Sequence, residues 1–173
     1  MNLRVAFSIR RQSAIEAFTL LRMQAQLRQW AAALLGGSVA LDDFADIQPL
    51  LKPNRNYAGL QDVPVSQITG SVGRAKDFDR NFRPLKKHLF GRWVSNYLNM
   101  QGGSWPRIRV YKVGSQYFVV DGHHRVSVAR STGVACLPAE VWEYALAKAP
   151  AAAVAPARSF NARAAHVQEP CSC

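Results

Sequence analysis

The sequence predicts a mixed α/β (α+β) fold: a compact domain with a small mixed sheet and a helical extension at its N-terminus. Three observations predict it. A helical hydrophobic period runs over residues 12–35. Two alternating apolar segments, RIRVYKV and QYFVVD, are joined by the turn residues Gly114 and Ser115. The second passes through a glycine into the helix-like run HRVSVARSTG and then the strand-like VACLPAEVWEY.

The elements follow in order. Leu20, Met23, Leu27, Trp30 and Leu34 recur at helical spacing, and Gly36-Gly37 ends that helix. Arg10, Arg11, Arg22 and Arg28 read as its solvated face, with a nucleic-acid contact as the sharper alternative. Residues 36–62 read as an irregular connection with one helical turn near 41–47, because Pro49, Pro53, Asn54, Asn56 and Gly59 punctuate it. VPVSQI has the alternation of a short strand. TGSVGR reads as a loop that lacks the GK[ST] ending of a P-loop. KDFDRNF reads as a helical turn with Phe78 and Phe82 on one face. HLFGRWVSNYLNM is a clearer helix, striped by Phe90, Trp93, Tyr97 and Leu98 and ended by Gly102-Gly103. After the strand pair, HRVSVARSTG is a helix ended by Gly133. The last strand carries Pro138, which places it at an edge or a bulge. The expected organisation is a basic helical extension and connection over 1–62, the domain over 63–144, and an Ala/Pro-rich disordered tail over 145–173.

Composition narrows the function. The 173 residues are 49% hydrophobic, which suits a globular core, and carry a net charge of +11. That excess suits a polyanion: nucleic acid, a nucleotide or an anionic surface. The longest nearly apolar stretch, residues 30–41, is far shorter than the roughly 20 residues needed to span a bilayer. Cys136, Cys171 and Cys173 form no CxxC pair; Cys136 reads as a small buried hydrophobe. A soluble protein in a reducing cytoplasm is expected.

The chemistry concentrates in VVDGHHRVSVAR, residues 119–130. Val119 and Val120 finish a strand, Gly122 turns sharply, and His123, His124 and Arg125 stand on the first turn of a helix. A helix N-terminus offers free N–H groups and the positive end of the dipole. Gly122 would let the backbone approach a ligand, Arg125 would grip phosphate oxygens, and the histidines would add donors. The pattern describes a phosphate site. The alternative is a plain strand–glycine–helix junction. Asp121 is a candidate helix cap, histidine partner or Mg²⁺ ligand. His123 and His124 are also candidate general bases, and with Asp121 they form the candidate catalytic set. A metal pair at His123-His124 is the less favoured reading, because adjacent helical residues diverge by about 100° and need help from elsewhere to reach one ion. Residues 74–92 hold the densest positive charge. Arg80, Arg83, Lys86, Lys87 and Arg92 there are the candidate nucleic-acid contacts, against the alternative of a solvated face.

YFVVDGHHRVSVARSTGVACLPAEV resembles the signature segment of the ParB/sulfiredoxin superfamily, in which a strand enters a Gly-x-x-Arg turn and a helix, then a glycine and another strand. VPVSQITGSVGRAKDFD is similar to the family's opening strand and arginine-bearing loop, so the resemblance covers residues 63–143. It implies a ParB-like nucleotide-binding domain. Partition proteins of this family bind and hydrolyse CTP, sulfiredoxins use ATP, and some relatives are free-serine kinases. Carried over, Gly122, His123, His124 and Arg125 meet nucleotide phosphates, with Arg74 from the upstream loop. The chain also departs from the family. His123 stands where sulfiredoxin has its catalytic cysteine, so sulfinic-acid reduction is not expected. Ser127 stands where partition proteins carry a further arginine, and no helix-turn-helix reader follows. Asp77, Asp79 and Asp121 are the candidate bases for a kinase. No carboxylate cluster supports the nuclease label often given to such domains.

The expected function is a nucleotide-binding, NTP-hydrolysing module associated with DNA, with CTP or ATP as cofactor and Mg²⁺ alongside it. The alternatives are a small-molecule phosphotransferase and a non-enzymatic nucleic-acid-binding protein whose nucleotide site is lost. A homodimer is compatible with either, and no membrane partner is expected.

Overall fold

A computed structural model describes residues 3–100 and 105–147; the tail beyond 147, with Cys171 and Cys173, lies outside the described residues. Helix α1 spans Leu3–Leu34. It ends where Gly36 takes the left-handed conformation, φ 68°. The Gly37 N–H then reaches the Ala32 carbonyl at 2.7 Å and the Gly36 N–H reaches the Ala33 carbonyl at 3.3 Å. This Schellman arrangement satisfies carbonyls that the helix itself cannot.

α1 docks through a face other than its hydrophobic stripe. The stripe at Leu20, Met23, Leu27, Trp30 and Leu34 faces solvent, and Trp30 is 73% exposed. The buried face is a second one: Ala14, Phe18 and Ala25, with Leu21 packed beside them. Ala14 and Ala25 let the helix approach closely. Phe18 then sets its edge against Phe90 (5.3 Å between centroids) and Trp93 (5.7 Å).

The strands are β1 (Asp42–Asp43), β2 (Leu51–Pro64), β3 (Ile68–Ser71), β4 (Ile108–Val113), β5 (Gln116–Asp121) and β6 (Cys136–Leu146). Among the described residues they form one mixed sheet in the order β1-β3-β5-β4-β6-β2. β3 is parallel to β5 and β4 to β6, while β4–β5 and β2–β6 are antiparallel. The helices that follow β1, β3 and β5 are α2 (Phe44–Ile47), α3 (Phe90–Met100) and α4 (His123–Thr132). Inward residues of the sheet, such as Ile108, Val110, Val119 and Val141, share the main core with α1, α3 and α4. Phe118 points to the other face, where Phe44 of α2 meets it edge-on at 5.6 Å. The mixed α/β class expected from the sequence is therefore the one observed.

Five local expectations change. Residues 51–62 are not irregular but part of β2, the longest strand. It is an edge strand, so the unpaired stretch around Pro53 and the register shift at Gly59 are tolerated. VPVSQI does not form one strand: Val63 and Pro64 close β2, Val65–Gln67 is a 3₁₀ turn, and β3 starts at Ile68. KDFDRNF is a turn rather than a helix. The buried Asp79 carboxylate accepts the Asn81 N–H (2.9 Å) and the Arg83 N–H (2.8 Å), and Phe82 takes φ 56°. Phe78 and Phe82 are nevertheless both buried, 6.0 Å apart. Pro138 lies inside the sheet, opposite Asp62 of β2. It is accommodated because the β4 ladder on its other side begins one residue later, at Ala139. Cys136 is half-buried, not the small buried hydrophobe expected.

Candidate functional site

β3 and β5 are neighbours and parallel, with Ser71 opposite Val119. Their carboxyl ends therefore deliver two segments to one place, as ligand sites of α/β sheets require. One is the turn-rich segment after Ser71, which carries Arg74, Asp77 and Phe78. The other is Gly122 and the start of α4.

Gly122 is the N-cap of α4, with φ 103°, and no side chain caps the helix. The first intrahelical bond runs from the Val126 N–H to the Gly122 carbonyl at 3.0 Å. The preceding amides thus lack helical acceptors. Glycine is required by packing as well as by φ. A Cβ there would lie 2.4 Å from Ile108 Cγ2 and 3.2 Å from Arg125 Cζ. Its bare face is filled from within the protein, which corrects the expectation that it is kept clear for a ligand.

The two histidines are both buried but differ in their hydrogen bonding. His123 is 4% exposed and tied down. Its Nε2 lies 2.7 Å from Ser71 Oγ, which also accepts the Arg74 N–H at 3.1 Å. A further hydrogen bond joins it to the Val119 backbone. Donation to that carbonyl leaves Nε2 to accept the Ser71 hydroxyl proton, and the hydroxyl oxygen to accept Arg74. Phe78 stacks on the ring at 6.1 Å. His124 is 7% exposed, and neither of its ring nitrogens has a hydrogen-bond partner among the described residues. Phe78 meets it edge-on at 5.7 Å. Burial, then the charge of Arg74, brings both imidazoles down to about 4, with Arg92 adding to the effect on His124. Both are neutral at pH 7. Asp77 and His88 also act on His124, in opposite directions.

Arg125 and Asp121 face each other. The Arg125 guanidinium donates to the carbonyls of Pro106 (2.5 Å) and Arg107 (2.6 Å), and to Asp121 Oδ2 at 2.7 Å. Its three bonds fasten the entry to β4 onto α4. Asp121 is 70% exposed and caps no helix. Among the described residues no three His, Cys, Asp or Glu side chains are placed to hold a metal ion. Asp121 alone fits a dedicated Mg²⁺ site poorly. Of the candidate kinase bases, Asp79 is buried in its turn, and Asp77 pairs with Arg74 Nε at 3.4 Å. Arg74 keeps partial exposure.

Of the candidate nucleic-acid contacts, Arg80, Lys86, Lys87 and Arg92 are exposed and form no ion pair among the described residues. Arg83 is set apart, half-buried and 3.8 Å from Asp79.

Sequence reasoning missed the residues that position the site. Ser71 was one hydroxyl in a loop-like string; a strand ending beside a second parallel strand was the signal. Ser127 accepts the Trp93 Nε1–H at 2.9 Å, with both residues buried, and so pins α3 to α4. Arg130 donates to the carbonyls of Arg80, Val65 and Ile68, holding the chain on both sides of β3.

No family model matches this chain, and no curated protein does. Among solved structures, the crystal structure of sulfiredoxin from Arabidopsis thaliana is similar to it. The identity is 19%, over 50% of this chain and 86% of that one, with a TM-score of 0.34.

Proposed function

We propose that the protein binds a nucleoside triphosphate through its phosphates at the N-terminus of α4, between His124 and Arg74. One observation carries this reading. At a helix N-terminus with no side-chain cap, a buried imidazole has two unpartnered nitrogens. A buried polar group left without a partner costs about 1–3 kcal/mol, and a ligand that hydrogen-bonds it recovers that cost. Neutral His124 can donate to a phosphate oxygen. Arg74 and Arg92 supply positive charge, and the free amides of α4 complete an anion site. Gly122 and His123 then shape the site: the glycine sets the turn, and His123 clamps the Arg74 segment through Ser71. Arg125 supports it from behind. Mg²⁺ would ride on the phosphates, with Asp121 at the rim.

Should the bound nucleotide react, His124 is the favoured base, because it is neutral and uncommitted. The exposed carboxylate of Asp121 is the second candidate. CTP and ATP are the nucleotides to try first.

The test is a thermal-shift series with CTP, ATP, ADP and GTP, with and without Mg²⁺, alongside phosphate release. A ligand at 100 times its Kd stabilises the native state by about 2.7 kcal/mol. We expect one nucleotide to raise the Tm, and His124→Ala and Arg74→Ala to abolish the rise. No shift with any nucleotide at millimolar concentration overturns the proposal.

A second reading rests on Arg80, Lys86, Lys87 and Arg92, four exposed cations without ion-pair partners among the described residues. We propose that this surface meets DNA phosphates, with or without bound nucleotide. Each phosphate contact steepens the salt dependence of binding by about one unit of log–log slope. Lys86→Ala with Lys87→Ala should therefore flatten that slope by nearly two units. An unchanged slope removes this surface from consideration.

A further inference from the structure

α1 carries two opposed faces. One packs on the domain through Ala14, Phe18 and Ala25. The other bears Leu20, Met23, Leu27, Trp30 and Leu34, each more than half exposed, rising to 88% at Leu34. These five are separated by steps of 3, 4, 3 and 4 residues. That is the a/d spacing of a two-helix seam, with a mean period of about 3.5 rather than 3.6 residues. The faces are geometrically complementary. In that heptad frame Phe18 and Ala25 fall at f, diametrically away from the seam. The domain therefore leaves the seam open along its length.

We infer that α1 pairs with α1 of a second copy of this chain. Charge selects that occupant. The positions flanking the seam, e and g, are Thr19, Gln24, Gln26, Ala31 and Ala33. None is charged, in a chain with 22 Lys and Arg. Like charges across a seam oppose pairing with an identical helix, and neutral flanks remove that penalty. An acidic partner would instead be met by cations beside the seam. A helix lying on an anionic bilayer would also carry cations along the edges of its apolar face. Here Arg22 and Arg28 fall at c and b, away from the seam. Area agrees. Two such stripes face to face bury on the order of 1,000 Å², the threshold of a specific interface. This inference does not depend on the phosphate site.

The experiment is sedimentation equilibrium of the full chain from 1 to 100 μM, on wild type, Leu27→Glu and Trp30→Glu. Both side chains are exposed, so the fold should tolerate either change; far-UV circular dichroism checks this. Wild type should approach twice the monomer mass as concentration rises. Both variants should stay at the monomer mass with unchanged helicity. A wild type that is monomeric at 100 μM overturns the inference. So does a dimer that persists in both variants, which would place the contact elsewhere. Monomeric wild type that binds phosphatidylserine vesicles through Leu27 and Trp30 would assign the face to membrane instead.

Discussion

Helices α1 and α4 use their sequences in opposite ways. α4 reads HHRVSVARST and is the more polar, yet six of its residues are buried, among them His123, His124 and Ser127. α1 holds a long stripe of large apolar residues and turns it to solvent. The difference is one of position. α4 leaves the end of a central strand and is enclosed by the sheet, α3 and the segment after β3, so its polar groups must find partners inside. α1 lies outside α3 and needs only a narrow contact face. Small residues make that face well, because they let two helix axes approach. A hydrophobic period thus states which face of a helix is apolar, not whether the same chain covers it.

The two faces of α1 give the widest contrast. Phe18→Ala should lower stability by about 3–5 kcal/mol, because it empties a buried aromatic cluster. Urea unfolding would check this; a loss under 1 kcal/mol would mean that α1 is not docked as described.

At α4, Gly122→Ala should cost about 2–4 kcal/mol, from a left-handed backbone and the collision with Ile108. A variant as stable as wild type would show that the turn can relax.

The third prediction concerns pH. Burial holds the folded His123 imidazole down at about 4, against 6.5 for a free histidine. Between those values the unfolded chain binds more protons than the native one. Stability is therefore fully present above pH 6.5 and falls as pH drops toward 4. The loss is of order 2–3 kcal/mol for this group, and His124 shifts in the same direction. Urea midpoints from pH 7.5 to 4.5 measure it. His123→Gln should flatten the profile, and an equally steep profile in that variant would assign the effect to other groups.

Trp93→Phe should cost about 1–2 kcal/mol, since it leaves the buried Ser127 hydroxyl without its donor. Trp93→Phe with Ser127→Ala should recover part of that loss in a double-mutant cycle.

The smallest effect belongs to the open face. Leu27→Ala should change stability by no more than about 0.5 kcal/mol when measured at 1 μM. A large loss there would mean that the stripe is already covered within one chain.

Much of the site was legible because it is local. The strand–glycine–helix junction at 119–133 needs only a short apolar run, a glycine and a helix-forming run, and it appears at the expected residues. The hairpin around Gly114-Ser115 and the helix bearing Trp93 are local for the same reason. The roles of the side chains there were not legible. Arg125 looked free for phosphate but meets two carbonyls and Asp121. His123 and His124 looked equivalent, until Ser71, 52 residues upstream of His123, took one of them.

The sequence by itself determined the mixed α/β class, the order of most elements, the excess of positive charge and the place where strand gives way to helix at Gly122. Periodicity, turn chemistry and composition act over a few residues, so they can be read without the fold. Tertiary structure alone decided that β2 is an edge strand, which face of α1 is buried, and that His124 is the imidazole left without a partner. Those outcomes depend on which distant segment arrives at a given face, and sequence pattern does not encode distance across the chain.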